Sequence, residues 1–171
     1  MPNTNPSKFT RAELADIYEK LVLYYELTQR LEREHLSTRV KGYRTLVDSL
    51  ALEVKPFPTE QALADVELPQ FDSKQNLIWF HDAKNNQLKS VFYHLRNAAA
   101  HGDIERHQLK PITYRIEHRY KGKLKLFCVI KKNDFWHFVD AAKNMKDMKD
   151  TPKVAQPAVN QQPKLDNEVA E

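Results

Sequence analysis

Side-chain polarity alternates with period two, on both sides of a short turn, in the stretch Ile112-Thr113-Tyr114-Arg115-Ile116-Glu117-His118-Arg119-Tyr120-Lys121-Gly122-Lys123-Leu124-Lys125-Leu126-Phe127-Cys128-Val129-Ile130. Side chains two residues apart share one face of a strand, so this period indicates two half-buried strands. The pattern predicts a β-hairpin over about residues 112–131. Its expected apolar face consists of Ile112, Tyr114, Ile116, His118, Leu124, Leu126, Cys128 and Ile130.

Helical spacing dominates the segments outside the hairpin. The capping-box pattern Thr10-Arg11-Ala12-Glu13 predicts a helix that runs to about His35. Asp82 is expected to cap the helix before the hairpin, with Leu88, Val91, Phe92, Leu95 and Ala99 as its buried stripe. Further helical segments are predicted over residues 37–54, 59–66 and 73–81, and from Phe135, after an Asn133-Asp134 cap, to about Lys149.

Composition predicts one folded domain with two loose ends. Residues 1–8 are polar with two prolines and are expected to form a flexible arm. Residues 9–150 form the predicted domain, and residues 151–171, rich in proline and polar side chains without periodicity, are expected to be disordered. A single cysteine, Cys128, excludes an intramolecular disulfide and is expected to be a core thiol.

The segment Arg96-Asn97-Ala98-Ala99-Ala100-His101-Gly102 ends the predicted helix before the hairpin and brings three reactive side-chain types together. A guanidinium gives fixed positive charge suited to phosphate. An imidazole takes or gives a proton near neutral pH. A site that cleaves a phosphodiester needs both abilities, so Arg96, Asn97 and His101 are the candidate catalytic residues.

These residues resemble the signature of HEPN domains, in which an Arg, a polar residue, three further residues and a His follow one another. The Ala-His-Gly ending is also similar to that superfamily, and the resemblance covers about residues 9–104. It implies a mostly α fold, a HEPN-like up-and-down helical bundle with the β-hairpin between the motif helix and the last helix. Some toxins of the superfamily carry a modified Tyr two residues after the His, where this chain has Asp103.

The resemblance also implies a function. Many HEPN domains are metal-independent endoribonucleases in which a 2′-hydroxyl attacks the adjacent phosphodiester, giving 2′,3′-cyclic phosphate and 5′-hydroxyl ends. RNA is then the expected partner, no cofactor or metal is needed, and the chain forms a homodimer through the motif helix. A toxin or phage-defence effector with an antitoxin or defence partner protein fits this family. The alternative is a non-catalytic HEPN module that binds RNA, a nucleotide or a partner.

Helix geometry sets a condition on the motif. Arg96 and His101 are five residues apart, which separates them by about 140° around a regular helix. Either the last turn unwinds at Gly102, or two motif helices pair across a twofold axis and share one cleft. His94, Asn97 and His101 do share a face, which makes His94 a substrate-binding candidate or an ordinary polar residue of that face. Asp103 is a candidate to orient His101.

Charge distribution indicates a polyanionic partner. Residues 106–132 contain nine Lys or Arg and one acidic residue, so this segment is net +8 in a chain of net +4. The candidate RNA-binding residues are Arg115, Arg119, Lys121, Lys123 and Lys125. The competing interpretation is a solvated strand face whose charges prevent edge aggregation.

Several other classes are disfavoured. The longest uninterrupted apolar runs have five residues, too short to span a membrane, and no secretory signal is recognised, so a cytoplasmic location is expected. The spacing Glu32-x-x-His35 occurs once, without the second copy of a di-iron site, and is interpreted as a solvated helix face. No Gly-rich phosphate loop or zinc-ligand spacing is present.

Overall fold

A six-stranded sheet, in the order β1-β4-β5-β6-β3-β2, organises the chain. The structure, a computed structural model, describes residues 5–32, 34–72 and 74–147. The strands are β1 (Pro6–Ser7), β2 (Glu53–Phe57), β3 (Leu77–His81), β4 (Ile104–His107), β5 (Thr113–Tyr120) and β6 (Lys123–Lys131). The helices are α1 (Arg11–Ile17), α2 (Tyr24–Leu27), α3 (Lys41–Ser49), α4 (Glu60–Ala64), α5 (Gln87–His101) and α6 (Lys132–Ala142). A π-helical segment, Tyr18–Leu23, joins α1 to α2.

The predicted mostly α, HEPN-like up-and-down bundle is wrong, because the chain has a mixed α/β fold. The predicted β-hairpin is confirmed as β5 and β6, but it forms the middle of a sheet rather than an appendage to a bundle. β4 and β1 extend the sheet antiparallel on one side. On the other side β3 pairs antiparallel with β6, and β2 pairs parallel with β3.

Two of the missed strands have features that hide them. β3 contains Leu77, Ile78 and Phe80, all buried, and because both of its faces are covered it shows no alternation. The helical turn predicted over residues 73–81 is therefore wrong, because Leu77–His81 is a strand. β2 contains Pro56, which an edge strand tolerates because one side of it makes no ladder hydrogen bonds.

Most predicted helix bounds are shifted. Residues 37–54 contain α3 over Lys41–Ser49 only, and the last helix begins at Lys132, before the predicted Asn133-Asp134 cap, and ends at Ala142 instead of about Lys149. The Thr10 capping box is confirmed, but the first helix stops at Leu27 instead of about His35. The short helix after Thr59 is confirmed. The helix before the hairpin is capped by Asn86, since Asp82 instead accepts a hydrogen bond from Ser90 Oγ at 2.5 Å.

The segments predicted at the two ends are only partly described. Pro6 and Ser7, in the predicted arm, pair with His107 and Arg106 of β4. Residues 1–4 and the predicted disordered tail, residues 151–171, lie outside the described residues. None of the helices in the described part of the chain is long and apolar enough to cross a bilayer.

A β-bulge divides the apolar side chains of β6 between two clusters. His118 pairs with Leu126, and the next residue, Arg119, pairs with Leu124, so Lys125 is an extra residue without a partner. Leu126 packs in the main core under α5 and α6, whereas Leu124 packs in a second cluster under α4. The predicted alternation therefore fails at Leu124, because the bulge shifts the faces by one residue.

A buried carboxylate ties α1 to the sheet and to α6. Glu13 Oε1 accepts hydrogen bonds from Arg106 Nε at 3.0 Å and from Lys132 Nζ at 2.8 Å. Burial alone raises the pKa of Glu13, but the hydrogen bonds from Lys132, the Thr10 backbone N–H and Arg106 outweigh it and lower the pKa to about 2. Glu13 is 3% exposed, so its loss leaves cations buried without a counter-charge.

Glu13→Gln is expected to lower the free energy of unfolding at pH 7 by about 3 kcal/mol, because the amide keeps the capping box but loses the charge. The native contribution is complete above pH 4.5 and is lost as the pH falls toward 2, since the unfolded chain binds the proton first. Urea unfolding at several pH values measures both effects. The exposed Glu19→Gln on the same helical segment is the matched control, and equal losses in the two variants would contradict the assignment.

Candidate functional site

A cleft of about 370 Å³ opens at one end of the sheet, beside the C-terminal half of α5. Four histidines from three elements line it: His81 ends β3, His118 lies near the end of β5, and His94 and His101 belong to α5. The tightly packed sheet and α5 thus bring together imidazoles that are up to 37 positions apart in the sequence. Such a concentration of proton-transfer groups in a concave site marks a candidate reaction centre.

The helix end brings an acid to one of these histidines. α5 stays regular through His101, and Gly102 then adopts a left-handed conformation with φ of +76°. A glycine takes this conformation without the strain that a side chain would add. The sharp turn directs Asp103 to His118 on β5, whose Nδ1 lies 2.6 Å from Asp103 Oδ2. Asp103 therefore pairs with His118 and not with His101 as expected.

The Asp103–His118 pair fixes the proton positions on the imidazole. An ionised carboxylate can only accept, so Nδ1 of His118 carries the hydrogen. In the neutral ring the other nitrogen, Nε2, then has the lone pair. His118 is 2% exposed and lines the cleft, so this oriented base sits at the cleft wall with little freedom to rotate.

A second imidazole lies against the first. The rings of His101 and His118 are nearly parallel, with an interplanar angle of 11° and centroids 5.8 Å apart. His101 is exposed whereas His118 is buried. Two neighbouring imidazoles, one oriented as a base and one accessible to solvent, can act together in one reaction. One takes a proton from the nucleophile, and the other gives a proton to the leaving group.

His94 forms the neutral back wall of the cleft. Its Nε2 lies 2.8 Å from the His81 carbonyl oxygen, which can only accept, so Nε2 is the protonated nitrogen. Burial lowers the pKa of His94 to about 4, because a charged ring would lose its hydration there. The buried Nδ1 has no hydrogen-bond partner among the described residues. His94 is consequently an uncharged acceptor at neutral pH.

The β-bulge turns a lysine toward the same cleft. Lys125 is 8% exposed and pairs with Glu60, the first residue of α4. Its ammonium also lies 5.9 Å from the centre of the Tyr120 ring. Lys123 is 3.6 Å from the other oxygen of Glu60 and stays exposed. Of the two neighbouring lysines, only Lys125 lines the cleft.

Arg96 does not face the cleft. Its Nη2 is 2.7 Å from Glu26 Oε1 on α2, and its Nη1 donates to Asn97 Oδ1 at 3.0 Å. Because Asn97 lines the cleft and its carbonyl oxygen is held by Arg96, its amide N–H groups remain as the donors. The helix stays regular, so within one chain the predicted unwinding that would bring Arg96 beside His101 does not occur.

Three of the other predicted RNA-binding residues, Lys121, Arg115 and Arg119, do not line the cleft. Lys121 lies at the hairpin turn with its ammonium 5.4 Å from the Tyr120 ring centre. Arg115 and Arg119 instead form ion pairs with Glu117. The predicted candidates that line the cleft are His94, Asn97, His101 and Lys125.

Sequence reasoning missed the residues that reach the cleft from other elements. His118 was placed correctly on the apolar side of the hairpin but was not considered as a reactive group. A histidine at the fourth position of an otherwise apolar strand face is the signal that could have found it. His81 and Glu60 gave no comparable signal, because their proximity depends on β2 and β3, the two strands on either side of the predicted helix α4 that the sequence did not reveal.

Metal ligation has no visible basis in the cleft. Within the described ranges, no group of three or more His, Cys, Asp or Glu side chains has the geometry to hold a metal ion. The only cysteine, Cys128, is fully buried in the main core, as predicted, and burial raises the pKa of its thiol. The reactive groups of the cleft are therefore imidazoles, a carboxamide, an ammonium and carboxylates.

His94 is expected to make the fold acid-sensitive above pH 4. The unfolded chain takes up the proton near pH 6.5 and the folded chain near 4, so stability is full above 6.5 and falls by about 3 kcal/mol as the pH drops to 4. His94→Gln keeps a donor for the His81 carbonyl and should remove this slope. Chemical denaturation across pH 4–7 measures it, with the exposed His137→Gln as control. An unchanged slope in His94→Gln would show that other groups cause it.

No protein-family model, no curated protein and no solved structure matches the chain. The resemblance to HEPN domains stays a prediction, and the geometry of the cleft carries the functional conclusion.

Proposed function

We propose that the protein is a metal-independent endoribonuclease whose active site is the histidine cleft. The observation that supports this most strongly is the Asp103–His118 pair with His101 stacked beside it. A carboxylate that orients a buried imidazole is a general-base arrangement. The second imidazole provides the acid that a phosphodiester exchange also requires, so the cleft contains both proton-transfer groups.

The reaction uses the 2′-hydroxyl of RNA as the nucleophile. His118 Nε2 takes the proton from the 2′-hydroxyl while the 2′-oxygen bonds to the adjacent phosphorus. The bond from phosphorus to the 5′-oxygen breaks, and protonated His101 gives its proton to that oxygen. The products are a 2′,3′-cyclic phosphate and a 5′-hydroxyl, with no change in oxidation state and no co-reactant. DNA lacks the nucleophile and is not cleaved.

Neighbouring groups stabilise the charge that grows on the phosphate. The Asn97 amide N–H groups are available because Arg96 holds the carbonyl oxygen. Hydrogen bonds prepared for a developing anion contribute to catalysis because they need no reorganisation during the reaction. Arg96 acts here as a positioning residue, in the chain of contacts Glu26–Arg96–Asn97.

Fewer basic side chains are available to attract RNA than the sequence indicated. The single carboxylate of Glu13 pairs with both Arg106 and Lys132, and Glu117 pairs with Arg115 and Arg119. The lysines around the hairpin turn, Lys121 and Lys123, remain exposed at the rim of the cleft. Phosphates of a single strand would bind there without sequence preference.

The second candidate function is an RNA- or nucleotide-binding module that does not cleave. The observation in its favour is the ion pair between Glu60 and Lys125 inside the cleft. The carboxylate of Glu60 offsets the positive charge of Lys125, which is then less able to stabilise a phosphate. The same proposal includes a homodimer through the motif helix, a toxin or defence role with a partner protein, and a cytoplasmic location. These three expectations rest on the Arg96–His101 motif and on RNA as the substrate.

Cleavage of mixed RNA by the purified protein in EDTA tests the proposal. His118→Asn and His101→Ala should each lower the cleavage rate by about 10²–10⁴-fold, because each removes one proton-transfer group. Asp103→Asn should also lower it, since the amide favours the wrong tautomer of His118. The products of the parent protein should carry 2′,3′-cyclic phosphate ends, and a 2′-deoxy substitution at the cleaved position should block the reaction.

The matched control is His137→Asn, an exposed histidine on α6 outside the cleft, which should cleave like the parent. A parent protein that binds RNA but does not cleave it would favour the binding module. Full activity of His118→Asn in a folded state would refute the proposed active site.

Arg96 and Asn97 should act as a unit. Arg96→Ala is expected to slow cleavage no more than Asn97→Ala, and the double variant no more than Asn97→Ala alone, because Arg96 works through the amide. Loss of the partly exposed Arg96–Glu26 pair should lower the free energy of unfolding by less than about 1 kcal/mol. Single-turnover rates and urea unfolding provide the two measurements. A much larger rate loss in Arg96→Ala would mean direct contact with phosphate, as in the predicted twofold pairing of motif helices.

A further inference from the structure

We propose that the cleft selects guanine as the base of the nucleotide that supplies the 2′-hydroxyl. This inference rests on the proposed ribonuclease function. It concerns three residues on the side of the cleft near His118, namely Glu60, Tyr120 and Lys125.

Tyr120 provides a surface on which a base can stack. It lies two residues after His118 on β5, and its ring is 55% exposed although it borders a cleft. The ammonium groups of Lys121 and Lys125 lie 5.4 Å and 5.9 Å from the ring centre. A flat aromatic ring beside positive charge is the combination that binds one nucleotide of a single strand, the base on the ring and the phosphate near the cations.

The Lys125–Glu60 pair presents an ordered set of hydrogen-bonding groups to such a base. The Lys125 ammonium can only donate, and the adjacent Glu60 carboxylate can only accept. The hydrogen bond from Lys125 lowers the pKa of Glu60, which keeps the carboxylate ionised. Lys125 contacts one oxygen of Glu60, Oε1, and the exposed Lys123 lies 3.6 Å from the other, Oε2. Each carboxylate oxygen has two lone pairs, so both oxygens keep acceptor capacity beside these lysines.

The edge of guanine matches this order. Guanine presents the O6 acceptor, then the N1–H donor, then the N2 amino donor, and these face an ammonium and the two oxygens of a carboxylate. Adenine and cytosine each place an unprotonated ring nitrogen next to their amino group, and uracil places its N–H between two carbonyl oxygens. Each of these three bases would set at least one acceptor against the carboxylate, which leaves polar groups unpaired.

The ion pair also explains why Lys125 is not assigned to the phosphate. The bulge directs its ammonium to Glu60 inside the cleft, whereas Lys121 and Lys123 stay exposed, with the Lys123 ammonium at 3.6 Å from the second Glu60 oxygen. Both groups of the pair are held in place before a ligand arrives, so binding a base requires little reorganisation. The position of Tyr120 on the same strand as His118 places the stacked base next to the proposed 2′-hydroxyl site.

Binding to the non-cleaving His118→Asn variant tests the inference separately from catalysis. The probes are 3′-GMP, 3′-AMP, 3′-CMP and 3′-UMP, measured by calorimetry. We expect 3′-GMP to bind at least about tenfold more tightly than the other three, as two additional hydrogen bonds to an ionised carboxylate would give. Inosine 3′-monophosphate, which lacks the N2 amino group, should fall between 3′-GMP and the rest.

Variants of the base site supply the second measurement. Glu60→Gln should abolish the preference for 3′-GMP, whereas Glu67→Gln, the same change at an exposed position outside the cleft, should keep it. Tyr120→Ala should weaken binding of all four nucleotides alike, and Tyr120→Phe should restore it because stacking needs only the ring. Thermal unfolding confirms that each variant is folded.

The outcomes separate the two proposals. Equal binding of the four nucleotides, no binding of any, or a guanine preference that survives Glu60→Gln would each overturn the inference. A guanine preference in binding without cleavage of guanine-containing dinucleotides by the parent protein would support a guanine-binding site in the cleft and reject the ribonuclease. Cleavage after every base at similar rates would reject the inference and leave the ribonuclease standing.

Discussion

The double burial of β6 is the constraint on which the rest of the fold depends. Leu126, Phe127, Cys128, Val129 and Ile130 are each at most 1% exposed, so the strand is apolar on both faces. Such a strand is stable only when both sides of the sheet are covered. α5 and α6 cover one side together with the N-terminal helical segment, and α4 with the chain that follows it covers the other. Where the bulge at Lys125 ends this run, polar side chains replace the apolar ones and the cleft begins.

The sequence made local elements predictable and left their assembly undetermined. The hairpin, the Thr10 capping box and the helix over Gln87–His101 follow from spacing and end signals that act within a few residues. The sheet depends on pairings such as β2 with β3 and β1 with β4, which no local pattern encodes. A strand buried on both faces carries no alternation, and a short apolar run is compatible with helix or strand until its neighbours are known. The family resemblance, taken from a seven-residue segment, then favoured the wrong class of fold.

The candidate site shows the same division. His94, Asn97 and His101 share a face of a regular helix, as helical spacing requires, and all three reach the cleft. Arg96 lies off that face and binds Glu26 instead. The partners from other elements, chiefly His118, could be found only from the tertiary structure. The charge run near the hairpin was likewise a poor guide, since Glu13 and Glu60, carboxylates distant in sequence, pair with several of its cations.

The Glu13 network also governs when this chain can become native during synthesis. The cationic partners of Glu13 are Arg106, 93 residues later, and Lys132, 119 residues later. Ser7 on β1 likewise forms its hydrogen bond with Arg106, 99 positions later in the chain. A ribosome adds roughly 5–20 residues per second, so the segment that contains Glu13 is synthesised seconds before its cationic partners. This segment is thus among the last to be fixed in place, and the carboxylate of Glu13 stays in water during the interval.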